Sequence, residues 1–125
     1  MASVAVTQGA VWAAFEAIFL ARVVDRAGTA ITQSAISSIA YTVREAEGDE
    51  TQTATGTLDK TTAIYDTLQT GGLWDADLTG YNFYGVLTGT CFPTYGVRYR
   101  VEFVLTPTSG NPYPIVYEVT ASRAT

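Results

Sequence analysis

Residues 97–105 read VRYRVEFVL and alternate without a break. Val97, Tyr99, Val101, Phe103 and Leu105 fall on one side, and Arg98, Arg100 and Glu102 on the other. A period of two residues puts one face in a core and the other in water, which is the signature of a half-buried β-strand. The TPTSGNP that follows carries Pro107, Gly110, Asn111 and Pro112, all breakers of regular structure. Alternation then resumes in YPIVYEVTA, where Tyr113, Ile115, Tyr117 and Val119 share a face. Two such strands around a short turn predict an antiparallel hairpin. Its dry face has to be covered by a second layer.

The rest of the chain supplies that layer in similar pieces. SSIAYTVRE sets Ile39, Tyr41 and Val43 against Ala40, Thr42 and Arg44, and ends in the charged loop AEGDE. TQTATGTL is rich in Thr with a weak preference for either face, as an edge strand would be. TTAIYDTL and NFYGVLTG read as further short strands, and Gly85 marks a bulge or a close backbone approach in the second. The segment 11–24 fits two periods. Trp12, Phe15 and Phe19 recur at helical spacing, whereas Phe15, Ala17, Phe19, Ala21 and Val23 alternate. With Ile18, Leu20 and Val24 its second face is apolar too, so a strand there would lie deep in a sheet or against a partner. The strand is preferred because VVDRAGTAI then gives it a turn. Residues 1–10 show only Val4 and Val6 in alternation and are expected to form an N-terminal arm. The expectation is an all-β chain: an immunoglobulin-like antiparallel β-sandwich of about seven strands over residues 11–125.

Composition narrows the function classes. At 125 residues there is room for one core. The hydrophobic share of 47% with 15% charged residues suits a globular domain. Net charge is −5 and the six arginines are scattered, so the basic footprint that nucleic acid demands is missing. The chain has no histidine and one cysteine, Cys91. Serine and cysteine triads therefore lack their base, the commonest zinc ligand is gone, and no internal disulfide can form. The apolar run AVWAAFEAIFLA is broken by Glu16 and too short for a membrane span, and no basic region precedes it as in a signal peptide. Neither an enzyme nor a cofactor is expected, and neither a nucleic-acid nor a membrane partner.

One stretch imitates a metal site. In LWDADLTGYNFYGVL, Asp75, Asp77 and Gly80 have the spacing that opens an EF-hand loop. Such a loop needs a bidentate carboxylate at its twelfth position and helices on both sides. The twelfth position is Val86, and the flanks are strand-like. A capped corner explains the residues better and no metal is expected. Asp77 caps the turn, Gly80 takes a positive φ, Tyr81 starts a strand and Phe83 points inward. The spacing of Asp77, Tyr81 and Phe83 is like the approach to the tyrosine corner of immunoglobulin domains, with Phe in place of the cysteine.

Three segments together carry a resemblance: VVDRAGTAITQSAISSIAYTV, WDADLTGYNF and CFPTYGVRYRVEF. Within them Asp25 and Gly28 form a turn, and Ile36, Ile39 and Val43 follow on the next strand. Gly80, Tyr81, Asn82 and Phe83, then Pro93 with Tyr99, Arg100, Val101 and Glu102, complete the pattern. Over about residues 15–120 the chain resembles the small immunoglobulin-like structural proteins of tailed bacteriophages and prophages. It is similar in layout to the N-terminal domain of baseplate upper proteins and to some capsid decoration proteins. The resemblance implies a non-enzymatic virion protein, made in the host cytoplasm, that binds and assembles. Capsid decoration is favoured over a tail or baseplate role, and a glycan- or cell-surface-binding module using exposed tyrosines is the alternative.

Assembly is expected to involve the N-terminal segment. Trp12, Phe15, Ile18, Phe19 and Leu20 put large apolar groups on more than one face. Left in water they would form a patch that soluble monomers rarely carry. A dimer or trimer, or a complex with a major capsid or other virion protein, follows as the expectation.

Overall fold

The computed structural model describes residues 3–10, 17–25, 27–72, 74, 77–94 and 96–121, with side chains from residue 17 onward. The alternating stretches become strands: β1 (Ser3–Ala10), β2 (Ala17–Val24), β3 (Ile36–Glu45), β4 (Gln52–Leu58), β5 (Ile64–Gln69), β6 (Tyr81–Leu87), β7 (Arg98–Pro107) and β8 (Tyr113–Thr120). They form two four-stranded antiparallel sheets, ordered β1-β2-β6-β5 and β4-β3-β7-β8. The chain is an all-β sandwich. The hairpin of β7 and β8 pairs without interruption from Arg98 with Thr120 to Leu105 with Tyr113.

Ambiguity in the 11–24 segment ends at β2, which is a strand. It lies between β1 and β6, so both its edges are paired. Its core side is Ala17, Phe19, Ala21 and Val23, all inaccessible to solvent. Leu20, on the other side, is buried as well. Residues 11–16, with Trp12 and Phe15, lie outside the described residues.

The arm expected over residues 1–10 is a correction. Ser3–Ala10 is a strand, paired with β2 from Ser3 opposite Val24 to Ala10 opposite Ile18, with a register shift between Val4 and Val6. The side of β2 away from β6 presents backbone donors and acceptors, and the preceding segment satisfies them.

The core is aromatic across the seam between sheets. Phe19 of β2 packs on Phe103 of β7 edge to face at 5.5 Å between ring centres, and on Tyr117 of β8 at 4.9 Å. Phe83 of β6 meets Phe103 at 5.0 Å. Gly85 sits where these rings leave no space, since a Cβ there would lie 2.9 Å from the Phe83 ring and 3.2 Å from that of Phe103. The close approach anticipated at Gly85 is real. A single helical turn, α1 (Lys60–Ala63), was not anticipated. Asp59 caps it, accepting hydrogen bonds from the Thr61 backbone N–H and hydroxyl.

Candidate functional site

The two outer faces of the sandwich differ in chemistry. On the sheet containing β3 and β7, the outer face is polar. Arg44, Arg98, Arg100, Glu102 and Glu118 are exposed there, and Arg100 pairs with Glu118 at 3.3 Å. Such an exposed pair contributes little to stability. The outer side of the sheet containing β2 and β6 carries aromatic rings instead, and its geometry begins at the corner before β6.

Asp77 organises that corner. Its carboxylate accepts hydrogen bonds from the backbone N–H groups of Thr79 and Gly80, each at 3.0 Å. Arg22 Nη1, reaching across from β2, donates to both carboxylate oxygens at 2.8 and 3.1 Å, and to the Gly80 carbonyl at 3.1 Å. Trp74 Nε1 donates to the carboxylate at 3.2 Å and to the Asp77 carbonyl at 3.1 Å. Four donor groups thus converge on one carboxylate. The Gly80 N–H, with Arg22, Trp74 and Thr79, holds the Asp77 carboxyl well below the ordinary range, at about 2. Gly80 has φ +105°, and a Cβ there would run into the Gln69 carbonyl. Only glycine fits.

This arrangement has used the oxygens that a metal would need. Both Asp77 oxygens face N–H donors, and Val86 lies within β6. Asp75 is outside the described residues. Among the described residues no three carboxylate, cysteine or histidine side chains gather to hold an ion.

Tyr81 opens β6 and Phe83, two residues on, is fully buried. The likeness of Tyr81 to a tyrosine corner has to be corrected. Among the described residues, the tyrosine that bonds back to backbone just upstream is Tyr99, at the start of β7. Its hydroxyl accepts from the Thr94 N–H at 3.0 Å and donates to the Thr94 carbonyl at 3.4 Å. Tyr99 is fully buried, its ring edge to face with Phe92 at 5.4 Å. Tyr41, Tyr81, Tyr99 and Tyr113 each stand two residues before a buried apolar position, so the spacing alone does not single out Tyr99.

Tyr81 serves a different purpose. Its ring packs against Trp74 at 5.6 Å, Tyr65 at 5.9 Å and Tyr84 at 6.4 Å, and Tyr65 also meets Tyr84 at 6.4 Å. Tyr65 stands nearly perpendicular to both neighbours, at 81° and 83°. Trp74 is buried beneath, its indole N–H fixed by Asp77, while Tyr65 is 37% exposed. Leu68, on the same strand as Tyr65, is 36% exposed. The result is a set of tyrosine rings with one edge in water and a rigid underside. Sequence reading singled out Asp77, Gly80, Tyr81 and Phe83 but missed Trp74, Arg22 and Tyr65, because they arrive from three separate segments.

The proposed assembly residues separate. Phe19 belongs to the inter-sheet core and Leu20 is covered within the chain, so neither is available to a partner. Ile18 is half-buried. Cys91 is buried, its thiol pushed up by burial. Asp59 and Asp66 hold separate backbone groups, the Thr61 N–H and the Gln33 N–H.

Compared with known proteins, the chain matches no family model, no curated protein and no solved structure.

Proposed function

We propose that this chain is a non-enzymatic structural protein of a bacteriophage virion that decorates the outside of the capsid shell. The observation that carries the reading is the one-sided surface: tyrosines braced by Trp74, Asp77 and Arg22 on one sheet, and a charged face on the other. Rigid tyrosines supply large contact area at small entropic cost, and suit docking on a protein surface. On a symmetric shell, many weak contacts of this kind add through avidity.

The immunoglobulin-like reading is supported by strand order. If β1 to β8 are taken as A, B, C, C′, D, E, F and G, the sheets read A-B-E-D and C′-C-F-G. The Tyr99 hydroxyl bond to Thr94 stands where a tyrosine corner belongs, with Val101 at the cysteine position two residues on. Fold transfers more readily than function, so the shell role rests on the sequence resemblance and the aromatic surface together.

The test is quantitative mass spectrometry of purified particles. Decoration requires copies in proportion to the major capsid protein, and a few copies confined to the tail would refute it in favour of a tail or baseplate role. Tyr65→Ala with Tyr84→Ala should abolish shell binding while the sandwich stays folded. The second reading, a glycan-binding module, draws on the same exposed Tyr65. It predicts hits on a glycan array that the double variant loses.

A further inference from the structure

The two neighbours of β6 cover it unequally. β2 pairs with it from Phe83 to Leu87, whereas β5 meets it only at Phe83 and Tyr81. A strand continuing β5 backwards past Ile64 would run beside residues 84–87, but the chain there is the helical turn α1. Among the described residues, the second half of β6 therefore has a strand on one side only.

The ladder fixes which backbone groups are left open. Val23 donates its N–H to the Asn82 side chain at 2.8 Å and accepts from it at 2.9 Å, so its backbone groups face β6. Along an antiparallel strand these groups alternate between the two neighbours. Ala21, Phe19 and Ala17 thus face β6 as well, and their partners Phe83, Gly85 and Leu87 face back toward β2. Val86 points the other way. Among the described residues no hydrogen bond reaches its N–H or its carbonyl. Charge or proline would guard such an edge, and residues 84–87 have neither.

Beside Val86 lies a hollow of about 150 Å³, lined by Leu58, Thr62, Ala63, Tyr84 and Val86. Small-molecule sites run to roughly 300–1,000 Å³, so this one has room for a single side chain. Leu58, Tyr84 and Val86 are each only half-buried.

We infer that this notch binds an extended, basic peptide segment of a partner protein as an added strand, antiparallel to β6 and in line with β5, with one aliphatic side chain in the hollow. One residue of the segment exchanges two hydrogen bonds with Val86. Facing residues of an antiparallel pair project to the same side of the sheet, so that residue's side chain lies with those of Val86 and Tyr84. Backbone bonds supply affinity in this mode, and the hollow selects the side chain. Charge selects the flanks: the chain carries −5, and Asp59 and Asp66, on either side of α1 in the chain, are exposed. The inference does not rest on the capsid role, because the peptide binds in solution without a shell.

The probe is a capped peptide, Lys-Thr-Thr-Leu-Thr-Thr-Lys, titrated into the isotope-labelled full chain and followed by NMR. Binding in the millimolar range should shift the amides of Thr62, Ala63, Tyr84 and Val86 and leave those of β8 unmoved. Methylating the leucine nitrogen removes the donor to the Val86 carbonyl. It should weaken binding by about tenfold, the worth of one hydrogen bond whose acceptor is orphaned. Val86→Pro removes a donor that the β2 ladder does not use, so it should keep its circular dichroism and lose the peptide. Should Val86→Pro fail to fold, the methylated peptide decides. Absence of shifts at millimolar peptide overturns the inference, and so does equal binding of the methylated form. Shifts confined to Tyr65 and Leu68 would put the peptide on the tyrosine surface and overturn it too.

Discussion

The hydroxyl of Tyr117 on β8 donates a hydrogen bond of 2.7 Å to the backbone carbonyl of Leu20 on β2. The two residues lie in different sheets and 97 positions apart. Strands in one sheet are joined by backbone ladders, but the two layers of a sandwich are held by side chains. This bond is a polar tie between the layers inside an otherwise apolar contact, beside the Phe19 ring.

Tyr117→Phe tests that tie. The ring volume remains, but the Leu20 carbonyl loses a buried partner. The expected loss is about 1–3 kcal/mol, measured by urea unfolding. Burial also raises the Tyr117 pKa above its ordinary value. A raised folded pKa means that the contribution is fully present below the unfolded tyrosine pKa of about 10, and falls as pH rises beyond it. The wild type should therefore destabilise more steeply than Tyr117→Phe between neutral and strongly alkaline pH. Parallel curves would refute this.

Asp77 gives the opposite sign. Its folded pKa of about 2 lies below the unfolded value of 3.8. The stability it contributes is present above pH 4 and lost as pH falls toward 2. Asp77→Asn should be less stable than the wild type at neutral pH, and the difference should shrink through that acid window. A difference independent of pH would mean that the four donors do not need the charge.

Asn82 is a buried polar side chain that sequence reading did not mark as structural. Its amide oxygen accepts from the Val23 N–H at 2.8 Å, and its NH₂ donates to the carbonyls of Val23 and Ile31 at 2.9 and 3.3 Å. It closes the ladder where β2 stops pairing with β6 beyond Ala21 and Phe83. Asn82→Ala orphans the Val23 donor and should cost at least about 1–3 kcal/mol. Asn82→Asp should be worse at neutral pH, because a carboxylate would face two carbonyls. It should recover in acid, where the protonated form can donate. Thermal melts of both variants across pH decide it.

Strands with one wet face were legible from the sequence. In β3, β7 and β8 solvent enforces alternation, and Ile39, Val43, Val101, Phe103 and Ile115 are all fully buried as the pattern requires. β2 was ambiguous because Ile18, Leu20 and Val24 make its outer side apolar too, which removes most of the polar half of the signal. The corner at Asp77 and Gly80 was legible because local chemistry dictates it: a side-chain cap and a positive φ. Its neighbours were not. Arg22 and Trp74 reach Asp77 from 55 and 3 residues away, and Tyr65 joins from β5. Nothing in their own segments announces a meeting. The short helix after Asp59 was hidden by the strand residues Ile64 and Tyr65 that follow it.

Gly85 concerns space. The position is β-strand with no unusual backbone angle, so alanine is conformationally tolerable there. The cost of Gly85→Ala must come from the Phe83 and Phe103 rings, which would have to move. Overpacking of this kind costs about 1–3 kcal/mol. Combining it with Phe83→Leu should recover part of the loss, because the smaller side chain vacates the closer clash. If the double variant is no more stable than the sum of the singles, the glycine has another reason.

The N-terminal segment carries the last prediction. If Ser3–Ala10 were a free arm, its removal would leave the sandwich unchanged. It is instead a strand paired with β2 from Ile18 to Val24, and its deletion turns a central strand into an edge. That edge would expose the backbone of AIFLARVV, a run rich in β-branched and apolar residues. Such a strand is a template for aggregation. Deleting residues 1–10 should therefore lower the melting temperature and raise the aggregation rate, as read by light scattering during a thermal ramp. The aromatic surface of Tyr65, Tyr81 and Tyr84 lies on strands β5 and β6, beyond β2 from the deleted strand. Binding through that surface should survive wherever the shortened chain is still folded. A truncated chain that melts like the full one would show that β1 contributes nothing to the sheet, and would restore the free arm.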